Sequence, residues 1–371
     1  MTGRNAESAA LAPETELFVK APLPLRMAVL PVGWLWLWFS RRTGLFRKKW
    51  KTESQATDGA QAQLCMDGIV YGEGPRFRMQ ENALYFADMF EQKVLKFDVS
   101  KRRGQVVCEM DDLPSGLGWL PDGRMLIASG KKRQLVTFDA KTKAFEVYAD
   151  ISNVTSIQVN DMVVDAAGQA YVGNFGFDHT HPFTCKSTTL VRVDIDRNVT
   201  VESTKMMFPN GMVITPDGKT LITAETFSGA LTAFDIAKDG SLSNRRVWAK
   251  IGVPPDGMCL DAEGCVWVAI PQVGIYKTAG GLLRVREGGE VVDVLGFSCN
   301  GIKNSVFACQ LGTDADGMHH LYFLEAVTSH EDILLKQTAE KRRKNGVLKS
   351  IQVRVGPARS ASNANYCGGY C

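Results

Sequence analysis

The feature of this sequence that most constrains its fold is a unit of 45 to 50 residues that recurs from about residue 60 onward. Each unit holds a polar element with glycine, an apolar strand, a turn and two further short strands. The turn glycines Gly123, Gly168, Gly218 and Gly264 follow one another after 45, 50 and 46 residues. Such a period is typical of propeller blades. The six units therefore predict an all-β fold, a six-bladed β-propeller.

One polar position recurs at the start of the first strand of each unit. In four units the turn glycine follows this position by eight residues, as Gly218 follows Asn210. The aligned residues are Glu73, Ser115, Asn160, Asn210, Asp256 and Asn300. Because the innermost strand of every blade lines the central channel, we expect these six side chains to converge near the axis.

The aligned residues predict a metal site in the central channel. All six side chains carry oxygen and two are carboxylates, with no thiol or imidazole among them. Such a set suits a hard divalent cation, Ca²⁺ first and Mg²⁺ or Mn²⁺ next, with Zn²⁺ also open. The alternative is that Asn-Gly and Asp-Gly serve only as turn dipeptides, and that the polar channel holds water.

Four motifs in order resemble the SMP-30/gluconolactonase/LRE-like family of six-bladed propellers. They are Gly72-Glu73-Gly74-Pro75, Val159-Asn160-Asp161-Met162, Pro209-Asn210-Gly211-Met212 and Pro255-Asp256-Gly257-Met258, and the resemblance runs from about 62 to 356. It implies a divalent cation at the channel mouth held by Glu73, Asn210 and Asp256, with Asp256 also as general base. It further implies that Asn160 lies beside the cation and contacts substrate or an outer-shell water, and that Gln158 contacts substrate. Gln158 stands where sugar lactonases of the family commonly carry a substrate-binding arginine, which points away from an aldonolactone.

These residues favour a cation-dependent hydrolase of a lactone or related ester. A cation polarises the carbonyl, and a carboxylate such as Asp256 takes a proton from water. The sequence has no GxSxG motif to indicate a serine hydrolase. One alternative is a propeller that binds a ligand or partner without turnover, with a structural cation. A metal-free propeller resembling strictosidine synthase is disfavoured by Glu73 together with Asn210 and Asp256.

The charge distribution separates an N-terminal extension from the propeller. The net charge is only +3, and residues 1–58 hold nine Lys and Arg against five Asp and Glu, so the remainder is slightly acidic. This balance predicts no nucleic-acid partner. The apolar run 27–39, with three Trp, precedes a basic cluster that ends at Lys51. The segment 27–51 suits peripheral contact with an anionic membrane surface, or else forms an arm on the domain.

The remaining expectations concern the domain limits and the compartment. We expect an extension over 1–58, a propeller over 59–356 and a flexible tail over 357–371, with a strand near 63–70 closing the ring beside a last strand near 351–355. Nine scattered Cys without a CxxC motif favour reduced thiols and a cytoplasmic location. His179 and His181 are interpreted as an exposed loop pair. The sequence leaves the oligomeric state open.

Overall fold

The structure, a computed structural model, describes residues 57, 59–176, 186–271, 280–297, 300–302, 304–326 and 344–359. These ranges hold 24 strands and two 3₁₀ helices, Met79–Glu81 and Thr226–Ser228. The strands are β1 (Gln63–Ile69), β2 (Gly72–Arg78), β3 (Ala83–Asp88), β4 (Lys93–Asp98), β5 (Arg103–Glu109), β6 (Pro114–Trp119), β7 (Met125–Ser129), β8 (Gln134–Phe138), β9 (Phe145–Asp150), β10 (Val159–Val164), β11 (Ala170–Asn174), β12 (Thr188–Val193), β13 (Val199–Met206), β14 (Pro209–Ile214), β15 (Thr220–Glu225), β16 (Ala230–Ile236), β17 (Leu242–Lys250), β18 (Met258–Leu260), β19 (Val266–Ile270), β20 (Gly281–Val285), β21 (Val291–Gly296), β22 (Ser305–Thr313), β23 (His319–Ala326) and β24 (Gly346–Gln352).

The strands form six sheets of four antiparallel strands each, which are the blades of a β-propeller. Blades one to five are β2–β5, β6–β9, β10–β13, β14–β17 and β18–β21, each in chain order. Blade six has the order β1-β24-β23-β22. The six-bladed, all-β fold predicted from the repeat is confirmed.

The ring closes in blade six, where β1 from the start of the domain pairs with β24 from its end. The register joins Gln63 to Ser350 and Ile69 to Gly346. The predicted closure by the first strand is confirmed, although the last strand begins at Gly346 and ends at Gln352, earlier than the expected 351–355. A closed ring leaves every blade with two neighbours, so both faces of the inner strands are covered.

The apolar core lies between neighbouring blades. In one cluster Trp267 of blade five packs with Phe323 of blade six, and in another Tyr171 of blade three packs with Phe234 of blade four. The second strand of several blades is buried along its whole length, as in β3, β7 and β11. This packing on both faces fixes the innermost strands around the axis, which positions the residues considered below.

Ordered backbone pairing continues a short way into the predicted tail. Pro357 forms a bridge with Asp261, and the amide of Ala358 donates to the carbonyl of Leu260 in blade five. Residues 360–371 of the predicted tail, the segment 27–51, His179 and His181 lie outside the described residues. No helix in the described ranges is long and apolar enough to cross a membrane.

Candidate metal centre

A bulge follows the predicted site position in the first four blades. Glu73, Ser115, Asn160 and Asn210 are each the second residue of their innermost strand. In all four strands the pairing register shifts directly after this part of the strand, as between Pro209 and Met212. Bulges bend a strand and re-aim its side chains, and they are frequent beside active sites. The repeated bulge therefore turns the same position of each blade in the same way.

Asp256 occupies the equivalent place in blade five, two residues before β18. Its amide donates to the carbonyl of Ala269 at 2.9 Å, and the next amide, of Gly257, donates to the carbonyl of Phe307 in blade six, also at 2.9 Å. Asp256 is 6% exposed. The backbone thus anchors the carboxylate between two blades.

Blade six departs from the predicted alignment. Val306 pairs with Glu325 as Pro209 pairs with Glu225, so Phe307 and not Asn300 is the counterpart of Asn210. Asn300 lies in a turn, with φ 53°, and its side-chain amide donates to the carbonyl of Ala60. The expectation that Asn300 joins the other five is therefore wrong, and the sixth position around the axis carries an apolar ring.

The polar side chains of blades two, three and four are linked. The Asn160 side-chain amide donates to Asn210 Oδ1 at 2.9 Å, and Asn210 Nδ2 donates to Thr226 Oγ1 at 3.2 Å. Thr226 in turn donates to the carbonyl of Pro255 at 2.8 Å, while Ser115 donates to the carbonyl of Asn160 at 2.7 Å. These bonds fix the Asn210 amide so that its oxygen, which has a second lone pair, keeps one direction.

Burial and mutual repulsion disfavour the charged forms of the two predicted carboxylate ligands. Burial raises the pKa of Glu73 well above its usual range, and the charges of Asp256 and Asp161 raise it further. Burial raises the pKa of Asp256 to about 8, a shift that the Asn210 amide opposes and Asp161 reinforces. Asp256 therefore lies close enough to Glu73 and to Asn210 to affect their electrostatics or be affected by them. That these three residues bind a metal stays a prediction.

Sequence reasoning missed a buried ion pair in the same channel. Arg76 of β2 reaches blade three, where its Nη2 lies 3.0 Å from Asp161 Oδ1 and also donates to the carbonyl of Met162. The residue after the site position is Gly74, Gly116, Gly211 or Gly257 in four blades, but Asp161 in blade three. This exception to the glycine pattern was a signal that the sequence contained.

The glycines that directly follow the site positions are required because neighbouring blades approach closely there. A Cβ on Gly74 would lie 2.3 Å from the carbonyl oxygen of Ser115, and one on Gly211 would lie 2.6 Å from that of Asp256. Both distances are shorter than any real contact, so each glycine lets the next blade pack against its backbone. The close packing brings the ligand-bearing residues together around a narrow axis.

Gln158, the second predicted substrate contact, precedes β10 and is 4% exposed. Its side-chain nitrogen lies 4.0 Å from the sulfur of Met89. Its backbone carbonyl accepts a hydrogen bond from the backbone amide of Phe175. The side chain is therefore held beside apolar neighbours of blades one and three.

A comparison with known protein families shows to which family this chain belongs. The SMP-30/gluconolactonase/LRE-like region matches residues 71–322, about two thirds of the chain. The chain belongs to this family.

Relatives within the SMP-30/gluconolactonase/LRE-like family include two curated proteins. Regucalcin of Gallus gallus is 30% identical over 217 residues, which cover 55% of this chain and 69% of that protein. A 6-deoxy-6-sulfogluconolactonase of Pseudomonas putida is 26% identical over 234 residues, covering 60% of this chain and 74% of the relative. A solved structure described as a calcium-binding protein, regucalcin, from Agrobacterium tumefaciens superposes with a TM-score of 0.61 at 18% identity, over 81% of this chain and 97% of its own. That likeness establishes the propeller fold.

In this family member the donor set suits a hard cation. Oδ1 of Asp256 is buried without a hydrogen-bond partner among the described residues. Within those residues no three or more His, Cys, Asp or Glu side chains form a metal-binding group. The predicted ligands Glu73, Asn210 and Asp256 offer two carboxylates and one amide oxygen. Oxygen-only donors fit Ca²⁺ or Mg²⁺ better than softer metals.

Proposed function

We propose that this protein is a divalent-cation-dependent hydrolase of lactones or related esters. The observation that carries the proposal is the unpaired, buried Oδ1 of Asp256 beside a second buried carboxylate, Glu73. Unpaired buried carboxylates are costly, and they persist at functional sites where a cation or substrate completes them. Membership of a family with a lactonase relative supports the reaction class.

Glu73, Asn210 and Asp256 would hold the cation, with Ca²⁺ as our first choice. The bound cation would polarise the substrate carbonyl and stabilise the negative charge that develops on its oxygen. Asn160 donates to Asn210 Oδ1 and so restrains the orientation of the Asn210 amide. Thr226 fixes the same amide from the other side.

Asp256 would serve as the general base. Its unpaired Oδ1 can take a proton from the water that attacks the carbonyl, and can return it to the ring oxygen as the C–O bond breaks. The products are one hydroxy acid per lactone and water consumed. A base whose pKa is raised to about 8 without a cation needs an adjacent positive charge to be ionised at neutral pH.

The test is a hydrolysis screen with the metal-stripped full chain. Aldono-, alkyl and aryl lactones and simple esters are offered with Ca²⁺, Mg²⁺, Mn²⁺ or Zn²⁺ added back. We expect turnover with one cation, a loss of about 10³-fold or more in kcat for Asp256→Asn, and no change for Asp217→Asn, which alters a turn carboxylate. Cation binding without turnover of any substrate would instead support a binding propeller with a structural cation.

A further inference from the structure

The level of the channel next to the candidate ligands carries mostly apolar side chains. It consists of the residues two positions before each site residue, which the common register of the blades makes equivalent. These are Tyr71, Leu113, Gln158, Phe208, Pro254 and Ser305. None is charged, and four of the six side chains are aromatic, leucine or proline. A molecule that reaches the carboxylates from this side meets this level first.

An apolar cluster joins this level to the candidate ligands. Tyr71 and Leu113 pack with Met89, Phe90 and Phe307 in one buried cluster of blades six, one and two. The ring of Phe307, at the site level itself, lies 4.4 Å from that of Tyr71. Tyr71 is two residues before Glu73 on the same chain segment, which places this cluster beside the candidate ligands.

A second aromatic group lies on the opposite side, in blades three and four. Phe175 stacks on Phe208 at 4.6 Å, and Phe227 lies 5.3 Å from Phe208. Phe208 is two residues before Asn210, and Phe227 follows Thr226, which holds the Asn210 amide. Apolar surface therefore flanks the candidate ligands from both sides.

Three polar side chains near the ligands donate to neighbours in the channel. Ser115 donates to the carbonyl of Asn160, Asn160 donates to Asn210, and Thr226 donates to the carbonyl of Pro255. Gln158 differs, because the only acceptor near its side-chain nitrogen within the described part of the chain is the Met89 sulfur at 4.0 Å. A thioether is a weak acceptor, so this buried amide can make one better hydrogen bond to a ligand.

These observations restrict the substrate. A polyhydroxylated lactone would bury several hydroxyl groups against a level of the channel that is mostly apolar, and each hydroxyl left without a hydrogen bond is costly. An anionic substrate would meet Glu73 and Asp256 and no cationic group at the neighbouring level. One neutral polar contact, by contrast, matches Gln158.

We propose that the site takes uncharged lactones or esters with an apolar alkyl or aryl body and a single polar group facing Gln158. This inference rests on the proposed function and names its substrate class. The apolar body packs against Tyr71, Leu113 and Phe307, while the carbonyl faces Asp256. Sugar lactones and anionic sugar derivatives are poor substrates of the same site.

The experiment compares two six-membered lactones on the Ca²⁺-loaded full chain, δ-nonalactone and glucono-1,5-lactone. We expect kcat/KM to be at least about a hundredfold higher for δ-nonalactone, since each unmatched hydroxyl costs about tenfold or more. Calorimetric titration with the alkyl lactam of the same shape, which is not hydrolysed, measures binding separately from turnover. Gluconolactone turned over as fast as δ-nonalactone would overturn the inference and leave the hydrolase standing.

Two variants test the residues. Leu113→Asn supplies a polar partner at the apolar level and should lower the preference for the alkyl lactone by about tenfold; Val247→Asn, on the exposed face of β17, is the matched control.

Gln158→Leu should weaken lactam binding by about tenfold without altering Ca²⁺ affinity. Unchanged lactam affinity in Gln158→Leu contradicts the single polar contact. Lactam binding without turnover of any lactone would remove the proposed hydrolase yet retain the ligand class.

Discussion

Three carboxylates of exposed turns and two carboxylates of the central channel have pKa values shifted in opposite directions. Hydrogen bonds lower the pKa of Asp122, Asp217 and Asp239 in the turns, from Arg124, Thr215 and Ser241 respectively. Burial raises the pKa of Glu73 and Asp256 in the channel. The residue types are the same, so the difference lies in burial: the turn carboxylates are exposed to water, whereas desolvation in the channel outweighs the few donors there. The cation that we propose would offset this cost by stabilising the charged forms of both channel carboxylates.

The largest effect is expected from breaking the Arg76–Asp161 pair. Arg76→Met leaves Asp161 buried without its partner and should lower the free energy of unfolding by about 3 kcal/mol or more. The double variant Arg76→Met/Asp161→Asn, with no buried charge, should recover most of that loss in urea denaturation. If Arg76→Met is as stable as wild type, the ion pair does not contribute to the free energy of unfolding.

Removing one channel carboxylate should nearly abolish cation binding. Glu73→Gln keeps the shape of the side chain but loses its charge, so Ca²⁺ affinity measured by calorimetry should fall about a hundredfold. Asp217→Asn is the turn control and should stay within about twofold of wild type. Equal losses in both variants would erase the distinction between channel and turn.

The pH dependence of Ca²⁺ affinity should expose the raised pKa of Asp256. Below pH 8 the cation has to displace a proton from this carboxylate, so affinity should fall by up to about tenfold per pH unit. Calorimetry in buffers of different ionisation enthalpy would detect the released proton. An affinity that is flat between pH 6 and 8 would contradict a raised pKa.

The stability of the cation-free protein should follow the opposite trend. The folded-state pKa of Asp256, about 8, exceeds the ordinary value of 3.8, so its contribution is present at low pH and is lost as pH rises toward 8. Relative to Asp256→Asn, the wild type should therefore lose stability between pH 5 and 8. Thermal melts of both proteins in chelator at each pH test the sign.

The smallest effect concerns a turn. Asp217 accepts from Thr215 Oγ1 at 2.6 Å and from the amide of Lys219 at 3.1 Å, on an exposed surface. Asp217→Ala should cost about 0.5 kcal/mol near pH 7. Because hydrogen bonds lower its folded-state pKa, the difference should vanish as pH falls through that pKa. A stability difference between wild type and Asp217→Ala that grows at acid pH would contradict a lowered pKa of Asp217.

The repeat carried enough information to predict the propeller, its six blades and the closure by β1. It also aligned Glu73, Asn160, Asn210 and Asp256, because the Gly after most of these residues is required by the backbone of the next blade. The periodic glycine pattern thus reports a tertiary contact. That is why a single sequence was sufficient for these positions.

In blade six the sequence repeat does not identify the residue that faces the axis. Asn300 and Gly301 both have positive φ, 53° and 75°, so this Asn-Gly is a turn, whereas Asn210-Gly211 lies within β14. The dipeptide is the same and only the register of β22 with β23 distinguishes the two. Arg76 was not predicted because its partner lies two blades away, a pairing that no spacing along the chain reveals.

The pairing of β1 with β24 has a consequence for synthesis. β1 is made long before its partner, and at about 5–20 residues per second the interval is tens of seconds. Throughout this time β1 lacks the strand with which it pairs in the finished ring, so its edge is available to other chains. Blade six is therefore the last blade to be completed, because it needs the first and the last strand of the domain.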